Sequence, residues 1–137
     1  LTSSIQFHNS RYMDKSSALG AFAALGQSTR LEVFRLLIKA GQQGALAGDI
    51  SSALEVRQNT MSANLGVLAR SGLIRSRREG RSIRYFADME GVRGLLGFLM
   101  EECCGGRPEL CQHVLEEITC CQGPLGPPDR QPHERST

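Results

Sequence analysis

Cysteine is confined to one short stretch of this chain. All five thiols fall between Cys103 and Cys121, none precedes them, and two pairs are adjacent, Cys103-Cys104 and Cys120-Cys121. Thiolate sulfur is soft and polarisable, so a local group such as Cys103, Cys104 and Cys111 favours thiophilic ions over magnesium or calcium. A cysteine can equally serve as a small apolar core residue, but clustering of this kind favours ligand chemistry over packing. A structural disulfide framework is disfavoured, because the count is odd and the opening stretch, LTSSIQFHNSRYMDKSS, has neither the basic start nor the apolar run of a secretory signal. The expected setting is cytoplasmic, where thiols stay reduced. Met13 is a candidate natural start, with the residues before it as an extension.

At 137 residues the chain suits one core with peripheral ends. The expected division is a flexible N-terminal extension over 1–14, a folded domain over 15–104, and a cysteine-containing, Gly/Pro-rich tail over 105–137. Aromatic residues make up 5% and tryptophan is absent, so the core must be built from Leu, Ala, Ile and Val, which favours helices over a β-sandwich. No apolar run approaches the length that crosses a bilayer, and no membrane partner is expected. The net charge of +2 hides an uneven distribution: six arginines and one acid, Glu79, lie between Arg70 and Arg84, whereas acids lead from Cys103 onward. A local basic block of this kind is the electrostatic footprint of phosphate binding.

Lys15 to Leu25 carries Ala18, Leu19, Phe22 and Leu25 at the spacing of a helix. Ser28 is expected to cap a second helix, with Leu31, Val33, Phe34, Leu37 and Ile38 as its apolar face and Gly41 as its end. Beyond the glycine-rich loop GQQGALAG, a short helix is expected from Asp49 through ISSALEV. The polar run Arg57-Gln58-Asn59-Thr60 breaks it, and a further helix begins near Thr60. That helix buries Met61, Leu65 and Leu68 and shows Gln58, Asn59, Ser62, Ala63, Asn64 and Arg70 on its other face.

Two short helices joined by a tight polar turn make a helix-turn-helix, whose second helix lays its first residues against base edges in the major groove. Gln58, Asn59, Thr60, Ser62 and Asn64 are the candidate readers, since amides pair with adenine and hydroxyls touch base edges or phosphates. Gly72 ends the helix, and LIRSRREGRSIRYFA reads as two strands around a turn at Glu79-Gly80. Arg77, Arg78, Arg81 and Arg84 stud this hairpin, placed for phosphates or a minor groove, with an affinity that falls as salt rises. The expected fold is mainly α with a small β-hairpin, a winged helix-turn-helix, and the expected partner is double-stranded DNA.

Three segments in this order, ALGQSTRLEVFRLL (Ala24 to Leu37), QNTMSANLGVLARSGLI (Gln58 to Ile74) and RREGRSIRY (Arg77 to Tyr85), resemble the ArsR/SmtB family of metal- and metalloid-responsive winged-helix repressors, over residues 15 to 111. The resemblance implies a homodimer through the first and last helices, a palindromic operator, and release when inducer binds. Half-sites would then lie roughly 34 Å apart. The chain departs from two sensor sites of that family. Where many arsenic sensors carry Cys-Val-Cys, at the start of the helix before the recognition helix, it has Leu46-Ala47-Gly48-Asp49. Where zinc and nickel sensors place Asp and His pairs along the last helix, it has Asp88 and Glu90 and no histidine between Asp88 and Met100. A third arrangement sets adjacent cysteines at the end of the last helix with another a few residues on, for trivalent arsenic or antimony, and ECCGGRPELC matches it.

Val92, Leu95, Leu96, Leu99 and Cys103 keep helical spacing, with Cys104 one position round. Gly105-Gly106 permit a reversal and Pro108 stiffens the return towards Cys111. Three thiolates suit a trigonal pyramidal ion, As(III) or Sb(III), whereas zinc wants a fourth ligand, for which His113 is the candidate. Cys120 and Cys121 receive no role. Alternatives on the same fold are a redox sensor that oxidises Cys103 and Cys111 or the adjacent pairs, and a sensor of cadmium, lead, zinc or a methylated trivalent arsenical. A thiol oxidoreductase is opposed by the lack of Cys-x-x-Cys and of an evident acid, base or substrate pocket. The expectation is a regulator that is not an enzyme.

Overall fold

A computed structural model of the chain describes residues 13–100 and Gln112. A boundary between compact units falls after Leu99. In chain order the elements are α1 (Lys15–Leu25), α2 (Ser28–Ala40), a 3-10 turn (Gly41–Gln43), β1 (Ala45–Leu46), α3 (Ala47–Leu54), α4 (Gln58–Arg70), β2 (Ile74–Glu79), β3 (Ser82–Ala87) and α5 (Met89–Met100). No helix among the described residues is long and apolar enough to cross a membrane.

Local chemistry sets the helix ends. Asp14 caps α1 by accepting the Ser17 amide at 2.8 Å, a bond that holds its carboxyl below the usual carboxylate range. Gln27, and not the expected Ser28, caps α2: its Oε1 accepts the Arg30 amide at 2.9 Å. Gly41, at φ 61°, ends that helix in a conformation a side chain rarely adopts.

The apolar pattern of the first two helices divides in an instructive way. Ala18, Ala21 and Ala24 form the buried face of α1, while Leu19 and Phe22 stand 59% and 39% exposed. Small residues let α1 lie close to α2 and α4, and the bulky ones are turned outward. On α2 the buried residues are Val33 and Leu37, whereas Leu31 and Ile38 face out. Ile50, Met61, Leu65, Leu68 and Leu73 complete a core from which solvent is excluded.

The three strands run antiparallel in the order β1-β3-β2. The sequence pattern has no sign of β1, which lies in the glycine-rich loop and pairs Ala45 with Tyr85 and Leu46 with Arg84. Gly44 makes this pairing feasible, because at φ 61° its backbone passes against the Tyr85 carbonyl and the Phe86 ring, and a Cβ would sit 2.6 Å from a ring carbon. α5 depends on a second close approach, Gly91 against the Gly72 carbonyl, where an added Cβ would overlap the oxygen. Gly91→Ala is expected to lower stability by about 1–3 kcal/mol through overpacking, read as a thermal midpoint several degrees lower. An unchanged midpoint would show that the two backbones are not held together.

Candidate nucleic-acid interface

The turn between α3 and α4 is built on a residue in the left-handed region. Glu55, at φ 57° and ψ 47°, ends α3, and the amides of Glu55 and Val56 return to the carbonyls of Ser52 and Ser51. Only three residues therefore separate the helices, and both begin two residues before the sequence pattern suggests, α3 at Ala47 and α4 at Gln58. The effect is to bring Gln58, Asn59 and Thr60 inside the first turn of α4, where all three are exposed, with Ser62 exposed one turn on. The Asn59 Oδ1 accepts the Thr60 amide at 2.7 Å. Arg57, which precedes the helix, gives it no side-chain cap and is itself exposed.

Asn64 is a correction to the expected outward face. It is 8% exposed, in a buried stripe with Met61, Leu65 and Leu68. The stripe follows from three-and-four spacing, which puts position 64 on the same side as 61 and 68. Its Oδ1 accepts from Arg30 Nη1 at 3.2 Å, and so it is turned away from any base edge that the exposed residues could reach.

Register divides the hairpin arginines into two classes. One face carries Arg75 opposite Phe86, Arg77 opposite Arg84, and Glu79 opposite Ser82. Like charges directly opposite each other are unfavourable, and Glu79 relieves the pair. Its Oε2 accepts from Arg77 Nη2 at 2.7 Å and from Arg84 Nε at 3.0 Å. Arg84 also donates to the Gln43 carbonyl at 3.0 Å, tying the wing to the turn after α2. Arg75 and Arg77 lie over the Phe86 ring, 4.6 and 5.0 Å from its centroid. Arg77 and Arg84 are thus braced against the protein. Arg78 is exposed on the other face and Arg81 is exposed in the two-residue turn, and neither side chain makes an ion pair or hydrogen bond among the described residues.

Arg81 closes one side of a cleft of about 350 Å³ whose other walls include Gly48, Asp49, Gln58, Ser62 and Tyr85. The amino ends of α3 and α4 and the wing turn therefore border one open cleft of mixed polar and apolar lining. Its donors suit a backbone phosphate beside the base-reading end of a helix.

The bonds from Arg77 and Arg84 hold the Glu79 carboxyl below its ordinary range. For a lowered carboxylate pKa the bracing is complete above the unfolded value and is lost as pH falls through the folded one. Glu79→Gln should mimic the loss at neutral pH. It is expected to raise affinity for random-sequence duplex DNA about two- to five-fold at low salt, with the gain gone at high salt. Fluorescence anisotropy across a salt series reads this, and an equal or weaker affinity would show that Glu79 does not restrain the wing's charge.

Leu19 and Phe22 on α1 and Met89, Leu96 and Leu99 on α5 are large apolar side chains left exposed. No group of three or more His, Cys, Asp or Glu among the described residues is placed to hold a metal ion. Cys103, Cys104 and Cys111, together with His113, Cys120 and Cys121, lie outside the described residues. Sequence reasoning gives no role to Arg30. For Arg30 a signal is present, since a cation in the first turn of a helix opposes the macrodipole and calls for another reason to be there.

A helix-turn-helix domain model matches residues 25–77. The transcriptional activator HlyU of Vibrio cholerae is 28% identical over 98 residues, covering 70% of this chain and 88% of HlyU. Reduced HlyU from that species superposes with a TM-score of 0.51 at 26% identity, covering 65% of this chain and 90% of that one. An ArsR-like transcriptional regulator from Rhodococcus sp. RHA1 gives 0.56 at 26% identity, covering 75% and 92%. The homodimeric winged helix-turn-helix DNA-binding domain of a possible ArsR-family regulator from Mycobacterium bovis gives 0.51 at 25% identity, covering 67% and 85%.

Proposed function

We propose that the chain is a winged-helix transcriptional regulator of the ArsR type, a homodimeric repressor of operator DNA released by arsenite or antimonite. The observation that carries the DNA reading is the shared cleft, with Gln58 and Ser62 on one wall and the uncommitted Arg81 on another. In this reading Gln58, Asn59, Thr60 and Ser62 meet base edges, Arg78 and Arg81 take phosphates, and Arg77 and Arg84 hold the wing in shape. The outward apolar residues of α1 and α5 form the dimer surface, in line with the homodimeric domain from M. bovis.

The sensing half rests on donor chemistry. The places where the family's sensors set ligands, the start of α3 and the length of α5, offer only Asp49, Asp88 and Glu90, which are hard oxygen donors. Cys103, Cys104 and Cys111 are the soft set, and their thiolates fit a trivalent metalloid. Capture of the ion would favour one dimer arrangement over another, a coupling typically worth about 1–3 kcal/mol, or about 5- to 150-fold in operator affinity.

Replacing Cys103, Cys104 and Cys111 together by serine is therefore expected to leave operator affinity intact and to abolish its response to arsenite. The measurement is a titration of reduced protein on its own upstream DNA, challenged in turn with arsenite, antimonite, zinc, cadmium and peroxide. Release of the triple variant by arsenite would refute the assignment. A redox sensor is the second reading, favoured by one observation: the relative HlyU is described in a reduced form. Release by peroxide, with no response to arsenite, would establish it. HlyU is named an activator, so a reporter that falls on deletion of the gene would identify activation in place of repression.

A further inference from the structure

We propose that Arg30 is the joint that fixes the recognition helix to the dimerisation helix, and so sets which half-site spacing the dimer accepts. The proposal rests on the dimer and operator reading above. Asn64 is the one polar side chain buried in α4, and a buried amide is stable only with a partner. That partner, Arg30, starts from the first turn of α2 and reaches two other helices. Its Nη1 donates to Asn64 at 3.2 Å, and its Nε donates to the Ala24 carbonyl at 2.7 Å. Nη2 lies 3.5 Å from the Ala23 carbonyl, at the outer limit of a hydrogen bond.

Ala23 and Ala24 lie in the last turn of α1, where carbonyls run out of helix amides: the Gly26 amide donates to the Ala23 carbonyl at 3.2 Å, and Arg30 supplies the side-chain donor to the Ala24 carbonyl. A cation is favourable there, and this resolves why an arginine stands at the unfavourable start of α2: its charge serves the end of α1. The guanidinium is a rigid planar fork, so bonds from one group to α1 and α4 fix an angle as well as a distance. An ammonium at the same place would supply charge without that geometry.

In a dimer joined through α1 and α5, the two copies of α1 lie beside the symmetry axis and the two copies of α4 enter successive grooves. The angle between α1 and α4 is then repeated across the axis, and any slack in it widens the range of half-site separations the pair can bridge. Arg30 touches no base in this arrangement. It is a positioning residue for Gln58, Asn59, Thr60 and Ser62.

The test uses the full chain as wild type, Arg30→Lys, Asn64→Leu and Asn64→Asp, the last keeping an acceptor opposite Arg30. One readout is the relative orientation of α1 and α4 from residual dipolar couplings of their amides, which requires no DNA. The other is affinity for a palindromic duplex selected on the wild type, compared with duplexes whose half-sites are moved by one base pair. Wild type and Asn64→Asp are expected to show one fixed orientation and to lose affinity about tenfold or more on the shift. Arg30→Lys and Asn64→Leu should show an averaged orientation and discriminate the spacings less than about threefold, with half-site affinity unchanged. A lower thermal midpoint with unaltered orientation in folded Arg30→Lys and Asn64→Leu overturns the joint and leaves only a stability role. An altered orientation in these variants, with no duplex selected by the wild type, keeps the joint and overturns the operator reading instead.

Discussion

Aspartate at both Leu96 and Leu99 is expected to leave a folded monomer whose affinity for its operator is lower by at least about 100-fold, the advantage that linking two half-site contacts ordinarily brings. Both side chains are about half exposed, on the same helix as exposed Met89, and neither belongs to the buried core. Burial of a leucine at an interface stabilises it by about 1.5–3 kcal/mol, and two-fold symmetry applies each substitution twice. The core residue Leu95 beside them is left unchanged, so unfolding is not the expected route to the loss. Sedimentation gives the mass, circular dichroism the fold, and anisotropy the DNA affinity. A variant that remains dimeric and keeps its operator affinity would place the interface elsewhere, with the exposed Leu31 and Ile38 of α2 as the next surface to test.

The second large effect concerns the wing. Arg78→Ala with Arg81→Ala should reduce the slope of log affinity against log salt by about 1.8, because each phosphate neutralised contributes about 0.9. The loss should be similar for operator and random duplex, since phosphate contacts carry no sequence information. Arg77→Ala and Arg84→Ala, by contrast, should change the slope less and the thermal midpoint more, because both arginines are held by Glu79. Equal slope changes from the two pairs would contradict the division of the hairpin into braced and free cations.

The sequence carries this architecture unevenly, for identifiable reasons. Helix period is legible wherever one face meets the core, as in Met61, Leu65 and Leu68, all at 1% exposure or less. Period alone does not say which apolar residues go inside. On α1 the alanines are buried and Leu19 and Phe22 are outside, an inversion that follows from close helix packing and an unfilled surface. Amides favour solvent, which points Asn64 outward in a sequence reading, yet it lies inward because a residue 34 positions earlier supplies its hydrogen bond. β1 is invisible to pattern because a strand of two residues has no alternation to detect, and its pairing depends on the room Gly44 leaves beside Phe86. Arg77, Arg78, Arg81 and Arg84 are equivalent in sequence, and only the register that sets Arg77 opposite Arg84 separates them. The cysteine cluster remains a reading of composition and spacing, since its residues lie outside those the structure describes.

Among the described residues β2 pairs on one side only, with β3, and no described strand pairs with its opposite edge. An unpaired strand edge invites addition of a strand from another molecule, the first step towards fibrous aggregates, and positive side chains along it discourage that by mutual repulsion. Arg75, Arg77 and Arg78 supply such a guard here, all three exposed on the open strand. The strand's cations, the braced and the free alike, therefore keep it from its own kind, and a chain stripped of them would gain a tendency to clump.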